Sequence, residues 1–177
     1  MNKALRSTLD KFVAISSAGL ILVSANASAD TLDFSGLPIG AQGSTVLVLP
    51  NATITSFGSD IYVRAAGIDH EICALTGGFT CEADLRVDFS TAVNSLSFVT
   101  SGWHSGDHID VNVYSGASLL GTVGHSSDGL VDLSAFSLVT SIYLDDSSIG
   151  GGLEWHMITL SSLQFPNLKP TLCYWQV

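Results

Sequence analysis

The sequence predicts an all-β fold, an antiparallel β-sandwich of jelly-roll or galactose-binding-like type. Three observations carry this. Apolar and polar residues alternate with period two along most of the chain. Clusters of Gly, Asn, Asp and Ser break the runs at short, fairly regular intervals, the rhythm of hairpins and arches rather than of βαβ units. Beyond the N-terminal stretch, helical character is confined to one turn, expected in "VDLSAFS" at 131–137.

The first stretch stands apart from the fold. "MNKALRSTLDK" carries Lys3, Arg6 and Lys11, "FVAISSAGLILVSA" is an apolar run too short and too Ser-broken to span a bilayer, and "ANASA" puts Ala27 and Ala29 at the small-residue positions of a cleavage site. Residues 1–29 read as a secretory signal peptide cut before Asp30. A sandwich domain is expected over 30–166, long enough to bury a core. The segment 167–177, which follows Pro166 and carries Pro170 and a Cys-Tyr-Trp run, shows no alternation and reads as an irregular tail.

Strands are expected at "STVLVL" (44–49), "ATITSF" (52–57), "DIYVRA" (60–65), "DLRVDF" (84–89), "NSLSFV" (94–99), "HIDVNVY" (108–114), "SIYL" (141–144) and "HMITLSSLQF" (156–165). In "DLRVDF" the inward set is Leu85, Val87 and Phe89. In "HIDVNVY" it is Ile109, Val111 and Val113, which turns His108, Asp110, Asn112 and Tyr114 to the other face.

Without the leader, only Arg64, Arg86 and Lys169 oppose fifteen carboxylates, a net charge of −12 with His neutral. Such a surface repels phosphate backbones and anionic headgroups, which excludes nucleic acid and membrane surfaces as natural partners and favours cations or neutral ligands such as sugars. No second apolar run has membrane length, so the mature protein is expected to be soluble and extracellular. Cys73 and Cys81 flank "ALTGGFT", whose Gly-Gly marks a tight turn. A disulfide across that loop suits an oxidising compartment and leaves Cys173 over.

"LDFSGLP", "DLRVDFSTAVNSLSFVTSG", "IDVNVYSGASLLGTV" and "LEWHMITLSSLQF" together resemble the β-sandwich domain of exported bacterial proteins of the PEP-CTERM class. That domain opens on F-x-x-L-P, carries an F-S-x-x-V-x-x-(V/L)-x-F strand pair and a V-x-x-Y-x-x-x-G-x-x-L-G-x-V hairpin, and closes on I-D-x-L-x-F. The resemblance spans about 130 residues and implies the sandwich and export. Two features depart from it. Thr159 and Ser161 stand near the usual Asp of the closing strand, and the Pro-Glu-Pro sorting signal is missing from "FPNLKPTLCYWQV", so release rather than anchoring is expected.

Two constellations carry candidate chemistry. "SGWHSGDHIDVNVY" (101–114) gathers Trp103, His104, Asp107, Asp110, Asn112 and Tyr114, an aromatic with carboxylate and amide partners of the kind that recognise sugar C–H faces and hydroxyls. The competing reading makes Trp103 an anchor over the core edge. His104 and His108 lie on a loop entering a strand, so their spacing lacks the one-face geometry of a helix, and zinc would need a further ligand such as His125 or His156. "LDDSSIGGGLEW" (144–155) offers Asp145, Asp146 and Glu154, which Asp33 would join in a structural Ca²⁺ site of hard oxygen donors; the bland alternative is a solvated acidic turn. No G-x-S-x-G elbow, HExxH, P-loop or C-x-x-C is present. The expectation is a secreted, non-catalytic module that binds or structures extracellular polysaccharide, possessing no cofactor beyond that calcium. A metal-dependent or carboxylate-based glycan hydrolase and a purely structural surface protein are the alternatives.

Overall fold

Alternation settles into twelve strands, every pair of them antiparallel, in a computed structural model that describes residues 29–66, 69–77, 80–148 and 157–164. They are β1 (Ala29–Leu32), β2 (Gly40–Ala41), β3 (Val46–Val48), β4 (Ala52–Ser56), β5 (Asp60–Ala66), β6 (Asp69–Leu75), β7 (Leu85–Ser101), β8 (Ile109–Ser115), β9 (Ser118–His125), β10 (Gly129–Leu133), β11 (Val139–Asp146) and β12 (Met157–Gln164). There is no helix among the described residues. One sheet runs β2-β5-β6-β12-β7-β10, with β1 also paired to β12. The other runs β3-β4-β7-β11-β8-β9. The fold is thus an all-β sandwich, as the alternation predicts.

Its core is the inward set of both sheets. Leu85, Val87 and Phe89 on β7 and Ile109, Val111 and Val113 on β8 are buried as their alternation predicts. They pack with Ile54, Ile61, Val63, Ile72, Leu96, Phe98, Leu133 and Ile142 in one continuous cluster. Each fully buried aliphatic or aromatic side chain here contributes about 1.5–3 kcal/mol.

β7 belongs to both sheets. Its first part pairs with β4 and β11, and its second part pairs with β12 and β10. Where one strand was expected over 84–89 and another over 94–99, the chain runs on without a loop. The inward positions are odd-numbered up to Val93 and even-numbered from Leu96 to Thr100. Ser95, at φ 53°, absorbs the extra residue that changes the phase. Without it the second half would point its apolar set outward. Its neighbour Asn94 fixes the corner: Asn94 Oδ1 accepts the amide of Leu138, another non-glycine residue at positive φ.

The helical turn expected at 131–137 is a correction. Val131 and Leu133 pair with Phe98 and Leu96 as part of β10, and Asp132 Oδ1 accepts the Ser134 amide at 2.8 Å to end the strand. A partner strand for the alternating Val131 and Leu133 outweighs a weak local helix preference. Alternation alone marks neither β6 nor β9, although β9 is the second arm of the hairpin that the resemblance implies over "IDVNVYSGASLLGTV". "DHEICAL" and "SLLGTVGH" lack clean alternation, and pairing with β5 and β8 decides them. Cys73 on β6 and Cys81 form a disulfide with Cα atoms 5.4 Å apart, closing the loop as expected. Residues 1–28, which hold most of the expected signal peptide, Glu154 and the expected tail 167–177 with Cys173 lie outside the described residues.

Candidate functional site

The predicted binding set divides between a loop and a sheet face. Gly102 and Gly106, at φ 85° and 108°, let the chain turn twice between β7 and β8. Within the turn His104 donates its amide to Asp107 Oδ2 at 2.6 Å, and Asp107 returns its own amide to the His104 carbonyl at 3.3 Å. Trp103 donates its amide to Asp128 Oδ1 at 3.1 Å, tying the loop to the β9–β10 turn. The indole is half-buried against the core and meets the His125 ring edge-on, with centroids 5.5 Å apart. His104 is exposed, whereas Asp107 is buried.

The second part is the outward face of the β8 sheet, set by strand register. One cross-strand row is Thr122–Asn112–Tyr143–Arg86–Thr55. Beside it lie Leu119–Tyr114–Ser141–Asp88–Thr53 on one side and Gly124–Asp110–Asp145 on the other. Thr122 donates its hydroxyl to Asn112 Oδ1 at 2.6 Å. Arg86 donates Nε to both oxygens of Asp88 at 2.9 Å, and this bond holds the guanidinium pKa above its ordinary value. Phe57, 57 % exposed, packs edge-on against Tyr143 at 5.4 Å. Asp110, Asn112 and Tyr114 therefore share this face with Tyr143 and Phe57. The cross-strand partners were illegible without the register, which one sequence does not supply.

Acidic groups gather at the upper end of the same face. Tyr143 donates its hydroxyl to Asp84, which also accepts the Asp146 amide at 3.0 Å. Burial first, then that hydrogen bond, raises the Tyr143 pKa. The Asp145 carboxyl is also raised, first by burial and then by the charges of Asp84, Asp110 and Asp146. His108 Nε2 lies 3.3 Å from Asp110 Oδ1, and Ser147 donates its hydroxyl to Asp110 Oδ2 at 3.2 Å. The carboxylate thus stands between hydroxyl and imidazole, whereas an activated serine needs the imidazole in the middle.

Asp33 sits elsewhere. Its carboxylate accepts the Ser35 amide at 2.8 Å and the Ser35 hydroxyl at 2.7 Å, which together lower its pKa, and the charge acting on it is His70. The charges acting on Asp145 are Asp84, Asp110 and Asp146. Among the described residues, no three His, Cys, Asp or Glu side chains are placed to hold a metal ion together. No protein-family model matches the chain, and no curated protein matches it.

Proposed function

We propose that the chain is an exported, non-catalytic β-sandwich module that binds a neutral polysaccharide of the extracellular matrix on the outward face of its β8 sheet. The observation that carries this is the cross-strand arrangement of Tyr114, Asn112, Tyr143 and Phe57 on one face. An aromatic surface stacks on sugar C–H groups, while the Asn112 amide and neighbouring carboxylates address hydroxyls. The acidic charge favours neutral over anionic chains. Export is supported by the leader read in residues 1–29, by the resemblance to PEP-CTERM-class domains and by the Cys73–Cys81 disulfide, which persists in oxidising compartments.

Glycan arrays probed with the mature chain, followed by calorimetry on the best ligand, test this. Replacing Phe57 and Tyr114 with Ala should weaken binding by about 1–3 kcal/mol per stacked ring, taking the scale of base–aromatic stacking. Absence of any neutral glycan from the bound set, or unchanged affinity in both variants, would overturn it.

Glycan hydrolysis is the second reading, and the raised Asp145 opposite Asp110 is the observation in its favour, because a general acid needs a raised carboxyl. Release of reducing ends that is abolished in Asp145→Asn would establish it in place of binding.

A further inference from the structure

We infer that the face of the β8 sheet takes the interior of an extended, all-equatorial β-1,4-linked glycan, laid along an oblique apolar stripe that runs Leu119–Tyr114–Tyr143–Phe57. This rests on the glycan-binding reading above and adds to it the linkage, shape and direction of the bound chain.

Strand register sets the stripe. Leu119 on β9 pairs with Tyr114 on β8, and Tyr114 pairs with Ser141 on β11. Tyr143, two residues along β11, is therefore the diagonal neighbour of Tyr114 at about 7–8 Å, within reach of an aromatic side chain. Phe57 directly follows β4 and donates its amide to the Asp84 carbonyl at 3.0 Å. Its ring reaches across β7 to Tyr143, with centroids 5.4 Å apart. From Tyr114 onward each step moves both across the sheet and along it. The two ends are open, with Phe57 57 % and Leu119 55 % exposed. Four strand spacings and the rise of four residues separate them, on the order of 20 Å. A disaccharide is too short to touch both ends.

Polar groups border the stripe on both sides. Asn112 and Asp110 lie along one flank, and Arg86 and Thr55 along the other. In a β-1,4-linked chain of gluco or xylo configuration the ring hydrogens are axial and the hydroxyls equatorial. Each flat face is then C–H, and the hydroxyls project from the two edges. Such a ribbon sets its C–H face on the rings and its hydroxyls over the polar flanks. An α-1,4-linked chain coils away from a straight stripe.

Charge selects against a second copy of the chain as occupant. Asp84, Asp88, Asp110 and Asp145 share this face with Arg86, which is already bound to Asp88. Two such faces laid together would oppose carboxylates to carboxylates, so the face suits an uncharged partner.

Calorimetry of the mature chain with cellobiose, cellotriose, cellotetraose and cellohexaose tests this, with maltohexaose as the coiled control. Affinity should rise ~5-fold or more for each ring newly covered, the lower end of base–aromatic stacking, and level off once the stripe is spanned. Maltohexaose should bind ~5-fold or more weakly than cellohexaose on the same scale. Phe57→Ala and Leu119→Ala, at the two ends, should each weaken cellohexaose and leave cellobiose unchanged. Val48→Ala, 74 % exposed on the same face but off the stripe, should change neither. The length series uses the unaltered chain, so it decides even where a variant fails to fold. Equal affinity at every length, equal binding of maltohexaose, or binding of none of these chains would each overturn the inference. In the last case, capture of a neutral glycan of another linkage on the array leaves the binding face standing, and an empty array removes both.

Discussion

Trp103 and Asp145 each take their environment from residues far from them in sequence. Trp103 lies against the core with its ring edge on His125, so it is an anchor first. Trp103→Ala should lower stability by about 2–3 kcal/mol, less than the 3–5 of a fully buried ring because the indole is half-exposed. Urea unfolding measures this, and a loss under 1 kcal/mol would return Trp103 to the role of an exposed platform. Asp145 faces the like charge of Asp110 directly across β11 and β8. Its pKa is raised above 3.8 in the folded chain. The fold therefore binds that proton more tightly than the unfolded chain does. The contribution is present below the unfolded value and is lost as pH rises through the folded one. Asp145→Asn should accordingly stabilise the protein at pH 7 by about 0.5 kcal/mol, the scale of a cross-strand like-charge pair, and the gain should vanish toward pH 3. Thermal melts across that range check both the sign and the window. The residue types at these positions were readable from "SGWHSGDHIDVNVY" and "LDDSS". The neighbours that decide their roles come from distant parts of the chain: His125 on β9 and Asp128 in the β9–β10 turn for the loop, and Asp110 on β8 and Asp84 just before β7 for Asp145.

Strand alternation is a local signal, and the elements it specifies best are those with one buried face. β4, β8 and the two halves of β7 fall where the period-two pattern puts them. β9 is exposed along its first three residues and has a bulge opposite Val113 and Tyr114, so its alternation sets in only from Gly121. What the pattern could not supply was the join inside β7. A phase change in alternation looks like a turn, and here it is a bulge at Ser95. Ser95→Val should destabilise by about 1–2 kcal/mol, since a β-branched side chain fits the left-handed region poorly. Deleting Ser95 should abolish cooperative unfolding, because Leu96 and Phe98 would then face solvent or β7 would lose its partners in one sheet. Circular dichroism and denaturant titration distinguish the two variants. A well-folded deletion would mean that the corner tolerates a different register.

The whole molecule combines a large acidic charge with a small covalent ring. The Cys73–Cys81 loop closes a sequence separation of 8, and its reduction should cost about 2–3 kcal/mol by the chain-entropy estimate. Melting with and without dithiothreitol measures this, with Cys73→Ser/Cys81→Ser as the non-reducible control. β7 has a further consequence at this scale, one of kinetics and cooperativity. A strand that donates and accepts hydrogen bonds in both layers leaves no route by which one layer opens while the other stays closed. Amides on its two halves, Val87 among the partners of β4 and β11 and Phe98 among those of β10 and β12, should exchange with deuterium at the same global rate. A sandwich is usually described as two slabs held by the apolar surface between them. This one is also stitched by a thread that runs through both slabs, and it should open all at once.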